Sequence, residues 1–186
     1  MKKSTIVMII ISAILAAALL FGGLGYLLFG QRNKVSYDLE KWNGLQASEP
    51  YLPATERLGE YENITCKYKN TKQFFFSWNS YILTASYSAE EYKSQKQYWE
   101  TQYTFETDLP RFADETVAKQ PNFSFDGFDF SLLDFEQYDL YYPKEMVFVG
   151  FSDSQNQVVF VYYYDTDLDV ISESFEDFLK DDCGWE

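Results

Sequence analysis

The sequence predicts an α+β domain behind a membrane-spanning helix: a mostly antiparallel β-sheet with two helices on one face, carried by an N-terminal anchor. Three observations predict it. No charged residue occurs from Ser4 to Gly30. Beyond residue 60, aromatic and β-branched residues alternate in short runs bounded by turn-forming residues, which is the period of strands. Two later segments, opening near Ser88 and Ser172, place apolar residues at helical spacing instead. The order strands, helix, strands, helix is also what a degenerate duplication of a strand–strand–helix unit would give.

The uncharged run comes first. As a helix rising about 1.5 Å per residue it would span roughly 40 Å, more than the ~30 Å hydrocarbon core of a bilayer. A cleaved secretory signal would need an apolar segment of only ~7–15 residues followed by a small-x-small site. This run instead continues through Leu27, Leu28 and Phe29, so an uncleaved single-pass signal anchor is expected. With Lys2 and Lys3 on the short side, residues 1–3 form a cytoplasmic stub and residues 4–30 the anchor. The rest of the chain is expected outside the cytoplasm. Residues 31–59, punctuated by Gly44, Pro50, Pro53 and Gly59, read as an extracytoplasmic tether. Residues 60–186 read as the folded α+β domain.

Within that domain Tyr61–Lys69 alternates as a strand, with Ile64, Cys66 and Tyr68 on one side. Gln73–Trp78 and Tyr81–Tyr87 read as two strands, with Asn79-Ser80 as a turn or bulge between them. Ser88-Ala-Glu-Glu91 is a capping box, and its helix should run to about Tyr103 and bury Tyr92, Trp99 and Tyr103. Asp126-Gly127 between alternating phenylalanines signals a hairpin. Glu145–Phe151 and Val158–Tyr164 form a second. Ser172–Asp181 carries Phe175, Phe178 and Leu179 on one helical face.

Composition narrows the chemistry. With no histidine in 186 residues, Ser-His-Asp and Cys-His nucleophile systems and imidazole zinc sites are excluded. Two cysteines are too few for an all-thiolate zinc site or an iron–sulfur centre within one chain. A net charge of −14 gives no counterion-release advantage on a phosphate polymer, so nucleic acid is not an expected partner. The charge is uneven. Residues 31–121 hold 11 basic against 13 acidic residues, whereas residues 122–186 hold 2 against 16. Cations, basic partners or solvation relieve such repulsion.

The remaining candidates are few. Asp165, Asp167 and Asp169, with Glu176 eleven residues after the first, copy the carboxylate spacing of an EF-hand calcium loop. Val170 stands where that loop needs glycine, however, and a strand rather than a helix precedes it. The competing reading is a solvated turn whose Asp169 or Ser172 caps the last helix. Cys66 and Cys183 each fall on an expected core face. In an oxidising exterior they either join, closing a loop whose constraint amounts to roughly 4–5 kcal/mol, or stay buried and reduced. Carboxylates such as Asp126, Asp129, Asp134, Glu136 and Asp139 could pair as in a glycosidase. Phe74-Phe75-Phe76 and Tyr162-Tyr163-Tyr164 put aromatics on both faces of their strands. The sheet is therefore either buried on both sides or exposes an aromatic surface fit for a partner.

Leu52-Pro53, Leu58-Gly59-Glu60-Tyr61-Glu62, the aromatic strand pair, Tyr142-Pro143-Lys144 and Gly150-Phe151-Ser152-Asp153 ahead of a tyrosine-rich strand together resemble uncharacterised single-pass exported proteins of Gram-positive bacteria. The resemblance implies no activity. The expected function is a non-enzymatic, membrane-anchored extracytoplasmic module that binds a membrane or extracytoplasmic protein partner, without a cofactor. A carboxylate-based hydrolase of envelope glycans and a calcium-dependent structural module are the alternatives.

Overall fold

The computed structural model describes residues 3–30, 32–73, 75–107, 121–134, 144–165 and 174–186. Helix α1 spans Lys3–Phe29, and of its described large apolar side chains Leu19, Leu20 and Phe21 are the most exposed. Among the described residues no helix is long and apolar enough to cross a membrane. The expectation of a span therefore rests on the uncharged run itself.

Seven strands follow: β1 (Arg32–Tyr37), β2 (Asn63–Gln73), β3 (Phe76–Ser86), β4 (Asn122–Phe125), β5 (Phe128–Leu132), β6 (Glu145–Ser152) and β7 (Gln157–Asp165). They form one sheet in the order β1-β2-β3-β7-β6-β5-β4, and every neighbouring pair is antiparallel. The expected α+β class holds. β4 and β5 join through Asp126 and Gly127, both at positive φ, so the Asp-Gly signal makes the two-residue turn that suits the twist of a hairpin. Gly150 has a different role: a Cβ there would meet the Phe130 ring and Val159 at 2.7 Å, and its absence lets the ring lie on the strand.

Three expectations change. Asn79 and Ser80 do not interrupt a strand; β3 runs through them in register with β2 and β7. Residues 31–59 are not a tether, because β1 pairs with β2 along its whole length. Helix α2 (Leu39–Ser48), capped by Asp38, also inserts Trp42 into the core at 0% exposure, beside Leu52 and Leu58. The Trp42 indole donates to the Pro53 carbonyl at 2.8 Å, which ties the irregular stretch down. The folded unit thus starts at β1 and not at residue 60.

The helices, finally, do not share a face. Along β6 and β7, Met146, Phe148, Val159, Val161 and Tyr163 point to one side, and Val147, Val149, Phe151, Val158, Phe160 and Tyr162 to the other. α3 (Ala89–Gln102), with Ser88 accepting from the Glu91 amide, covers the second side together with α2 through Tyr92 and Trp99. α4 (Phe175–Asp177) continues as π-helical turns over Phe178–Cys183 and covers the first side with Phe175, Phe178 and Leu179. Duplicated strand–strand–helix units related by a two-fold axis through the sheet would keep both helices on one face. Their opposite placement departs from that symmetric arrangement.

The same arrangement settles the cysteines. Cys66 belongs to the core under α2 and α3, Cys183 to the core under α4; the sheet lies between them and both are free thiols. Burial pushes the Cys66 thiol up to about 12 and the Cys183 thiol well above its ordinary value, so neither is a nucleophile at neutral pH.

Two outcomes follow. Trp42→Ala should destabilise the domain by about 3–5 kcal/mol, as large core truncations do; chemical denaturation would read a shift near zero if residues 31–59 were a tether. Alkylation of air-equilibrated protein in denaturant without reductant should modify both cysteines, whereas a disulfide would leave both unmodified.

Candidate functional site

The C-terminal segment builds the site. Lys69, almost wholly buried, donates its ammonium to the Asp181 carbonyl, a cation at the carbonyl end of a helix. The Ser80 hydroxyl donates to the Cys183 carbonyl at 3.1 Å. Gly184 then turns the chain at φ 79°, and the Trp185 amide returns to the Leu179 carbonyl at 2.7 Å. Trp185 packs edge-on against Phe125, Phe128 and Phe130, while its indole donates to the Asp126 carboxylate at 2.9 Å. Glu186 reaches β1 and β2, accepting from the Tyr37 hydroxyl at 2.9 Å and the Lys67 ammonium at 2.5 Å.

Between this tail and the sheet lies an open cleft of about 340 Å³. Thr65, Lys67, Ile82 and Thr84 form its floor, Tyr37, Phe128 and Trp185 its aromatic walls, and Gln155 and Gln157 one rim. It sits at the end of the sheet where β1, β3 and β6 finish. The Gln155 amide donates to the Asp126 carbonyl and that of Gln157 to Ser86, so both rim side chains are held in place. Such a mixture of apolar walls with a few fixed polar groups is typical of ligand sites, and the volume lies at the small end of their range. The Lys67 and Tyr37 hydrogen bonds hold the Glu186 carboxyl below the ordinary glutamate range.

A second polar cluster lies under α2. Glu145 is buried and accepts a hydrogen bond from the Tyr51 phenol. Burial first, and that bond second, push Tyr51 above the ordinary phenol range, so it stays protonated and donating. Glu49 is raised from its ordinary value by burial and then by the charge of Glu145.

The sequence-predicted metal set is not brought together among the described residues. Asp165 is buried at the end of β7 and accepts from the Tyr163 hydroxyl at 3.4 Å. Glu176 is an exposed partner of Lys180, four residues on, at 2.5 Å. Asp167 and Asp169 lie outside the described residues, among which no group of three or more carboxylates or thiolates could hold a metal ion. Ser174, not Asp169 or Ser172, caps α4. Of the suggested carboxylates Asp126 reaches the cleft; Asp129 instead accepts from Ser124 at 2.7 Å, Asp134 is exposed at the opposite end of the sheet, and Glu136 and Asp139 lie outside the described residues. Tyr37, Trp185 and Glu186 were not legible as site residues, because nothing local to them announces that a strand end and a chain end meet.

Comparison of the chain with protein-family models, with curated proteins and with solved structures yields no match.

Glu49 gives a signed test. A carboxyl raised in the folded state costs stability above its ordinary pKa, and that cost fades as the pH falls toward that value. Glu49→Gln should therefore raise the denaturation midpoint at pH 7, and the gain should vanish near pH 4. An unchanged midpoint at pH 7 would show that burial and the charge of Glu145 together do not disfavour its ionised form.

Proposed function

We propose that this chain is a single-pass, membrane-anchored extracytoplasmic binding module without catalytic activity, and that its cleft receives a segment of a protein partner. The anchor part is supported by the uncharged run from Ser4 to Gly30 and by helix α1, whose described large apolar side chains stand exposed. Such a surface is stable in lipid and costly in water. The binding part is carried by one observation: the cleft offers aromatic walls beside threonine hydroxyls and glutamine amides, groups that suit an extended peptide with alternating apolar and polar contacts.

A hydrolase of envelope glycans draws on a specific observation too, since Asp126 and Glu186 both line the cleft. Its general acid would need a raised pKa, whereas Glu186 is lowered and Asp126 is engaged by Trp185. The binding reading is therefore preferred.

A photo-crosslinking amino acid at Gln155 of the full-length membrane protein, irradiated in intact cells, should give one defined protein adduct. It should be absent from a control position at Glu100 on α3 and lost in Trp185→Ala. Equal adducts from both positions would defeat the reading. Release of reducing ends from purified envelope glycan, abolished by Glu186→Gln, would establish the hydrolase in its place.

A further inference from the structure

We infer that the cleft selects a partner segment carrying an acidic side chain, and that Glu186 is a built-in competitor holding the place of that carboxylate. This rests on the binding role proposed above and adds to it the chemistry of what is bound.

The donors come first. Lys67 is the one cation lining the cleft among the described residues, and its place is set by contacts other than the carboxylate it meets. Its side chain is only 12% exposed. Its ammonium lies 5.3 Å from the centre of the Tyr37 ring, and a Cβ at Gly184 would touch the end of its stem at 3.7 Å. Backbone pairing with Tyr37 of β1 and Ile82 of β3 holds Lys67 from both sides. The Tyr37 hydroxyl donates to the same carboxylate as Lys67, at 2.9 Å. Two fixed donors, one of them charged, thus converge on a single point, an arrangement that suits a carboxylate.

The acceptor is held differently. The Glu186 side chain is 76% exposed, and an exposed ion pair contributes little because water solvates both of its members. The carboxylate is therefore readily exchanged for another. Trp185 beside it is packed among Phe125, Phe128 and Phe130, so the exchange moves one side chain and leaves the aromatic wall standing.

Desolvation dictates what replaces it. A segment laid across the cleft removes water from Lys67. If it displaces Glu186 and brings no carboxylate, it leaves an ammonium buried without a counter-charge, which is strongly unfavourable. With a carboxylate, the pair forms again away from water, where its attraction is stronger than in the exposed pair it replaces. Neutral and basic segments are rejected by the same penalty. Asp126, the other acid lining the cleft, stands on the β4–β5 turn across the sheet from β1, and its carboxylate accepts from the Trp185 indole at 2.9 Å. The net charge of −14 slows the approach of an acidic segment. Charges farther than about 8 Å from the bound group are largely screened at physiological salt, so the contact with Lys67 decides the bound state.

The test places the photo-crosslinking amino acid at Gln155 of the full-length membrane protein in intact cells and compares adduct yields among variants. Glu186→Ala should raise the yield several-fold, a gain that no loss of folding produces. Lys67→Met should lower it at least tenfold, and Lys67→Arg should restore most of it. Mass spectrometry of the adduct locates the partner's crosslinked segment. Changing its acidic residue to the amide should cost as much yield as Lys67→Met, and the two changes together should cost no more than either. A yield unchanged or lowered in Glu186→Ala overturns the competitor role. A segment without an acidic residue, or one captured equally by Lys67→Met, overturns the acidic selection and leaves the binding role standing. No adduct in the wild type or in any variant overturns both.

Discussion

The central strand pair governs this fold. β6 and β7 are paired over eight positions, from Glu145 with Tyr164 to Ser152 with Gln157, and β6 is buried along its entire length. A strand whose alternate residues are apolar in both directions cannot lie on a one-sided sheet, since either face left open would expose several large side chains to water. Both faces must be covered, and the described helices that follow β1 divide between those two tasks. α2, the stretch through Leu52 and Leu58, and α3 take one face, while the short C-terminal helix takes the other.

Unequal covers produce the cleft. Two helices and an irregular segment meet over one side, with Trp99 against Phe160 and Tyr103. On the other side Phe175 to Trp185 cross the sheet only once, held by Lys69 and Ser80. Among the described residues this single short crossing leaves a corner of β1–β3 uncovered at one end, and there the residues facing outward are the polar Thr65, Lys67 and Thr84. The cleft is thus the part of the sheet that the tail does not reach, bounded by the tail itself. The two thiols are kept apart by the same division, each inside the core of its own face.

Legibility followed the range of the interactions. Asp126-Gly127, the Ser88 cap and the alternation of Val158–Tyr164 act within a few residues, so the pattern alone identifies them. Asn79 and Ser80 resemble a turn because they are small and polar, yet Asn79 accepts from Tyr68 and Asn70 and Ser80 donates to the chain terminus. Their polarity answers partners far along the sequence. Trp42 shows no helical period because its contacts, Phe160 and Pro53 among them, lie on other elements. Cys66 and Cys183 were each read correctly as core-facing, but a pattern that reports inside against outside does not say which of two cores is meant. The cleft was the least legible feature, since it is assembled from Tyr37, Asp126 and Glu186 on separate elements with no spacing to link them.

Charge shows how the two halves of the chain are matched. The excess of acid in residues 122–186 would repel itself if left to solvent alone, and part of it is met from within. Two ion pairs join the first half to the second: Lys67 with Glu186 and Lys96 with Asp153. Lys69 adds its ammonium to the carbonyl end of the acidic C-terminal turn. Exposed pairs of this kind contribute little stability each, so their effect is better sought in placement. Lys67 sets where the tail ends, and Lys96, sharing Asp153 with the Tyr92 hydroxyl at 2.6 Å, sets where α3 meets the β6–β7 turn. Both contacts lie at the end of the sheet that holds the cleft. The first half of the chain therefore supplies the cations that position the acidic second half around the site, and the lopsided charge of the sequence becomes a means of docking one half on the other.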